Sequence, residues 1–229
     1  MPFSARDWSV LLIGGGSGAG KTTLARGVSA GVGVPLSHAD DFRLVIEHTS
    51  TPAQQPDIHL FRTPAARELA PDEAAARWRQ VAGVVSDALE VVVGYHLATD
   101  APIVLEGDTL LPALAARAAF GGMPARRRVR ALFVVERDPE RLHATLAARG
   151  RGFQHLSPRD REHEVRRQWL YGERIAGEAH ALGLPVVESG PWGTLAERAA
   201  AALAAAAPER VSSAASPGPP ARSTPGSPR

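Results

Sequence analysis

The segment Gly15-Gly16-Ser17-Gly18-Ala19-Gly20-Lys21-Thr22 matches the pattern G-x-x-x-x-G-K-[ST] at every fixed position, and that spacing serves phosphate. The chemistry needs these residue types. Glycines let consecutive backbone N–H groups turn toward one anion, and a helix opening behind them adds the positive end of its dipole. Lys21 then offers a compact ammonium to β- and γ-phosphate oxygens, and the Thr22 hydroxyl offers a hard oxygen to Mg2+. The chain has 26 basic residues, of which Lys21 is the only lysine. A single lysine scattered among those positions would land here about once in 26 trials. Arginine's planar fork suits a ring of amides poorly. Lys21 therefore reads as chemistry, and Gly15, Gly16, Ser17, Gly18, Ala19, Gly20, Lys21, Thr22 and Thr23 as the binding site of a nucleoside triphosphate.

Carboxylates form the second group. Asp40-Asp41 and Glu106 with Asp108 follow the second and third apolar runs, at the sheet edge where open α/β folds bind ligands. One carboxylate there can deprotonate an acceptor hydroxyl while another holds Mg2+. The residues alone leave open which member of each pair acts. Arg149-Gly150-Arg151-Gly152 sets arginines on a glycine hinge, which suits a lid closing on transferring phosphate. Arg43 and Arg62 are weaker candidates for gripping an anionic acceptor. The histidines show no metal-ligand spacing, and Trp78 and Trp169 sit on helical stripes as packing residues.

The elements that must position these groups alternate strand and helix, the signature of a mostly parallel sheet covered on both faces. Strands are expected at Ser9–Gly14, Val34–His38, Ile103–Glu106, Val129–Glu136 and Leu184–Glu188. Helices are expected from Lys21, over 71–98 with Trp78, Val81, Val85 and Leu89 as an apolar stripe, and over 110–119. Asp138-Pro139 and Ser157-Pro158 announce two more by capping residue followed by proline, and 194–207 forms the last. Residues 47–64 read as a long functional loop. The result is one domain over 1–207 with a lid at about 149–170, and a Pro/Ser/Ala/Arg tail over 208–229 that reads as disordered.

Bulk composition narrows the setting. Of 229 residues, 44% are hydrophobic and none is cysteine, which removes disulfides and thiolate metal sites. Formal net charge is +2, and the tail carries all of it, with Arg210, Arg222 and Arg229 against Glu209. A neutral body does not support polynucleotide binding. No apolar run approaches a membrane span, so a cytoplasmic setting without a membrane partner is expected. Oligomeric state is not legible.

Together, Gly16–Thr23, His38-Ala39-Asp40-Asp41-Phe42 and Ile103-Val104-Leu105-Glu106-Gly107 resemble the P-loop kinases of small metabolites, in particular the uridine kinase and phosphoribulokinase group. Val104–Pro112 is also similar to 2-phosphoglycerate kinases. The resemblance spans residues 9 to about 205 and implies the P-loop NTPase fold, with a five-stranded, mostly parallel sheet, helices on both faces and a helical lid. It also implies ATP and Mg2+ as cofactors, Asp40 as the acceptor's base, and Glu106 beside Thr22 at the metal. With the residue reading above, the expected catalytic set is Lys21, Asp40, Arg149 and Arg151, with Asp41, Arg43 and Arg62 at the acceptor. Uridine kinases usually carry an aromatic where this chain has Arg43, which favours an anionic acceptor over a nucleoside.

The implied activity is transfer of the ATP γ-phosphoryl group to a small-molecule hydroxyl. A GTPase switch would need a guanine-reading Asn-Lys-x-Asp, which a chain with one lysine cannot hold. A transport ATPase would need Asp-Glu ending its third strand, where Glu106 is followed by Gly107. A degenerate nucleotide-binding module that docks a partner through the tail is the remaining alternative.

Overall fold

The computed structural model describes residues 8–150 and 152–206. Arg151 and the 208–229 tail lie outside the described residues. Five strands, β1 (Val10–Gly15), β2 (Leu36–His38), β3 (Ile103–Glu106), β6 (Val129–Val135) and β7 (Val186–Glu188), form one sheet in the order β2-β3-β1-β6-β7. All four pairings are parallel.

The middle strand explains the layering. Val10, Leu11, Leu12 and Ile13 are all fully buried, because alternate side chains enter opposite cores. Val10 and Leu12 join the core built by α4 (Pro71–Ala98) and α7 (Pro158–Ala181). Leu11 and Ile13 join the one under α1 (Lys21–Val32) and α8 (Leu195–Ala205). Parallel strands so covered place every carboxyl end on one edge, where open α/β sheets bind their ligands.

Three sequence expectations change. The 47–64 stretch is not an irregular loop. It holds the end of α2 (Ala39–Thr49) and α3 (Pro56–Leu60), and a 3-10 turn follows at Pro64–Arg67. Phe42, Ile46 and Ile58 explain this, because they pack on the first core. The helix expected over 110–119 is only α5 (Pro112–Ala115); β4 (Ala119–Phe120) and β5 (Met123–Pro124) then form an antiparallel hairpin. Gly121 and Gly122 turn the chain there at φ 52° and 79°, a geometry open to glycine. Finally, α4 does have the length and apolarity of a membrane span. Its stripe of Val81, Val85, Leu89 and Val93 is buried in the protein core.

α6 (Pro139–Arg149) begins as its sequence announces, with the Asp138 side chain accepting from the N–H groups of Glu140 and Arg141. Just before it, the buried Glu136 carboxylate accepts from Asp138 N at 2.8 Å, from Arg141 Nη2 at 3.0 Å and from Ser189 Oγ. Burial pushes its pKa up, but these hydrogen bonds outweigh burial and hold it below the ordinary value of 4.5. The stability it lends is thus complete above the ordinary carboxyl range and fades as pH falls through the lower folded value. Glu136→Gln is expected to cost about 1–3 kcal/mol at pH 7. Urea midpoints should show this loss shrinking in acid.

Candidate active site

The phosphate loop occupies the turn between β1 and α1. Gly15, Gly18 and Gly20 hold φ of 126°, 83° and 90°, and a Cβ on Gly15 would stand 2.0 Å from the Val134 carbonyl oxygen. α1 begins directly at Lys21 with no side-chain cap and no acid in its first turn. Its opening N–H groups and positive dipole end are therefore uncompensated by the protein, the arrangement that receives an anion. Lys21 is buried, and its Nζ donates to Gly16 O at 2.8 Å, folding the ammonium over the loop. These features fit a triphosphate.

The metal candidates meet across the sheet edge. Thr22 Oγ1 donates to Glu106 Oε1 at 3.0 Å, and His38 Nδ1 lies 2.5 Å from the same oxygen. Glu106 is only 5% exposed, with these two side chains as its partners. A buried carboxylate beside a hydroxyl is the donor chemistry of Mg2+, so the residues present fit that ion.

Close packing brings the second pair of carboxylates together. A Cβ on Gly107 would lie 2.5 Å from the Ala39 Cβ, so glycine there lets the end of β3 press against the start of α2. Asp40 stands in the first turn of α2, half-buried, whereas Asp41 is exposed. Asp108 follows β3 and is fixed through its backbone. The Tyr171 hydroxyl of α7 donates to its carbonyl, and Ser86 of α4 bonds Thr109 O and Leu111 N. The Asp108 Oδ1 is buried without a hydrogen-bond partner among the described residues. Burial, opposed by Lys21 and Arg167 and reinforced by Asp40 and Glu106, pushes its carboxyl up to about 6.

Arg149 reaches the phosphate loop, its Nη1 donating to Ser17 Oγ at 3.2 Å. It closes a cavity of about 500 Å3 together with Gly18, Lys21, Thr22, Thr23, Thr145 and Trp192. Trp192 is 43% exposed and lies against Gly20, a flat apolar face beside the loop that suits a base. A larger cavity of about 670 Å3, between α6, α7 and Pro71, does not touch the loop.

On the other side of the carboxylates, Arg43 Nη1 donates to Glu47 Oε2 at 2.7 Å, and the largely exposed Arg62 gives its Nε to the same carboxylate. Arg167 of α7 donates to Glu164 from Nε at 2.9 Å and Nη2 at 2.6 Å. Arg167, His38 and Trp192 carry no sequence signal of their own. They reach the site only through α7, the end of β2 and the turn before α8.

Neither a protein-family model nor a curated protein sequence matches the chain. Solved structures do. An unliganded sugar kinase from Janibacter sp. HTCC2649 is 17% identical, with 87% of this chain and 96% of that one aligned at a TM-score of 0.50. A gluconokinase from Sinorhizobium meliloti 1021 is 16% identical over 89% of this chain and 95% of that one, with a TM-score of 0.45. A shikimate kinase from Acinetobacter baumannii, in complex with shikimate, is 14% identical over 79% and 83%, also at 0.45. The chain shares the fold of that sugar kinase, an α/β architecture with a five-stranded parallel sheet.

Proposed function

We propose that this chain is a phosphotransferase that moves the γ-phosphoryl group of ATP to a hydroxyl of a small metabolite, with Mg2+ required. The observation that carries the reading is the convergence of Lys21, the Thr22–Glu106 pair and the two aspartates Asp40 and Asp108 on one sheet edge. A switch or motor would not need a second, carboxylate-lined side to its phosphate site. ATP is the favoured donor, because no guanine-reading lysine motif exists in the sequence. A kinase drawing on ATP accords with the cytoplasmic setting expected from composition.

In this reading the loop amides and Lys21 hold the β- and γ-phosphates, and Arg149 neutralises charge as it spreads over the transferring group. Arg151 joins it as a second lid candidate. Thr22 and Glu106 would hold Mg2+, which supplies charge shielding and orientation of the phosphates when bound. Asp40 takes the hydroxyl proton as the acceptor oxygen bonds the γ-phosphorus. The bond from that phosphorus to the β-phosphate oxygen breaks, and ADP leaves. Asp41, Arg43 and Arg62 belong to the acceptor side, with Arg43 the most deeply set of the three.

Incubating the full chain with ATP, Mg2+ and a metabolite pool is expected to give a new phosphorylated species by mass spectrometry. ATP turnover with no labelled acceptor among sugars, sugar acids, nucleosides and glycerate would overturn the reading. Asp40→Asn is expected to lower turnover by roughly 10²- to 10⁴-fold while ATP affinity stays within a few-fold. If ATP affinity collapses as well, Asp40 holds metal or structure and is not the base.

A further inference from the structure

Three buried N–H donors on the acceptor side have no acceptor among the described residues: Arg43 Nε, Trp78 Nε1 and Arg167 Nη1. They share one platform. The Arg43 and Arg167 guanidinia lie over the Trp78 ring at 5.9 and 5.4 Å, and Phe61 meets that ring edge-on at 5.0 Å. Arg167 also covers Phe61 at 5.5 Å. Each arginine is anchored through its other nitrogens, Arg43 by Glu47 and Arg167 by Glu164, so the unpaired N–H groups are held rather than free to turn away. Buried donors without acceptors are costly and rare in native proteins. Three on one aromatic platform mark where an acceptor from outside the chain belongs.

Charge says what kind. Arg43, Arg62, Arg67 and Arg167 share this corner with Glu47, Asp160 and Glu164, so four positive charges stand against three negative ones. A monoanion completes the balance, whereas a phosphate monoester carries nearly two charges near neutral pH. Donor chemistry agrees, because planar guanidinium and indole N–H groups suit a planar carboxylate. Toward the phosphate loop the orphaned atoms change type. Asp108 Oδ1 and Gln168 Oε1 are buried acceptors without donors, and hydroxyl groups would satisfy them. A cavity of about 450 Å3, walled by Phe61, Arg67, Asp160, His163, Glu164 and Arg167, opens against the Phe61 and Arg167 side of this platform.

We propose that the phosphoryl acceptor is a small hydroxy acid, with its carboxylate bound by Arg43, Trp78 and Arg167 and its hydroxyl end directed to Asp108 and Gln168. This rests on the kinase reading of the site and adds the acceptor's class to it. Arg167 and Trp78, absent from the sequence-based acceptor set, are its specificity-determining residues, whereas Arg62 reaches the site only through Glu47.

The test is calorimetric titration of the full chain, without nucleotide, using matched ligands: D-glycerate, glycerol and glycerol 3-phosphate, then D-gluconate, D-glucose and glucose 6-phosphate. At least one carboxylate is expected to bind roughly tenfold or more tighter than its neutral partner, the worth of a charge-assisted contact. Arg167→Gln should erase that preference. Trp78→Phe keeps the ring, loses the N–H and should weaken the carboxylate alone. No preference for any carboxylate over its neutral partner, a preference for the phosphate monoester, or an unchanged preference in Arg167→Gln would each overturn the proposal. The wild-type ligand series decides the matter even if the arginine variant fails to fold. Carboxylate binding that depends on Arg167 without any phosphoryl transfer would leave the acid site standing and remove the kinase reading. Transfer to neutral alcohols with equal ease would do the reverse.

Discussion

Lys21→Ala is expected to lower phosphoryl transfer by roughly 10²- to 10³-fold or more, the scale of losing a preorganised charge partner at a developing anion. The position has no substitute. Every other basic residue in the chain is arginine, and Lys21 is buried with its Nζ 2.8 Å from Gly16 O. Lys21→Arg should fail nearly as badly, since a fork cannot lie within amides that close around a point charge. Single-turnover transfer with the full chain gives the rate, and a thermal melt confirms that the variant is folded. A Lys21→Ala protein with wild-type turnover would remove the phosphate loop from the chemistry.

Asp108→Asn is expected to move stability and activity in opposite directions. The Asp108 carboxyl is pushed up to about 6 by burial, opposed by Lys21 and Arg167 and reinforced by Asp40 and Glu106. An unfolded chain releases this proton near the ordinary 3.8, so between those two values the folded protein holds more protons. Stability therefore falls as pH rises from about 4 to about 6, and above that range the penalty is complete. Removing the charge should raise stability at pH 7 by about 3 kcal/mol, and Tm by roughly 6–12 °C. The comparison belongs in chelator, where only the protein's own charges act on the group. The gain should vanish near pH 4. Turnover should drop at the same time, because the Asp108 carboxylate lies within electrostatic reach of Lys21, Asp40 and Glu106. A variant that melts with the wild type at pH 7 would show that Asp108 is stabilised in a way its surroundings do not explain.

Much of the frame was legible because its signals are local. Continuous apolar runs gave the strands, and Asp138-Pro139 and Ser157-Pro158 gave helix starts whose side chains cap as expected. The loop motif sets Lys21 and Thr22 at the start of α1, and the Thr22–Glu106 contact joins two residues that the resemblance alone had put at one metal. What failed to show depends on distance along the chain. Arg167 meets Trp78 across the packing of α4 on α7, and nothing in a run of arginines and glutamates on a polar helix separates it from Arg166, which instead covers Trp169 at 4.7 Å. Trp78 was legible as a packing residue, but its unpaired indole N–H was not. The glycine pair at 121–122 carried a turn signal that the alanine-rich residues before it, favourable to helix, obscured.

One contact binds the two halves of the site mechanically. A Cβ on Gly16 would stand 3.0 Å from the Gly172 Cα, so the phosphate loop rests directly on the backbone of α7, with no side chain between them to act as a cushion. The same helix carries Arg167 and Glu164 little more than one and two turns away. In the proposed kinase, a tilt of this rod on binding one substrate would displace the seat of the other, and a methyl group added at Gly16 would press on the helix backbone.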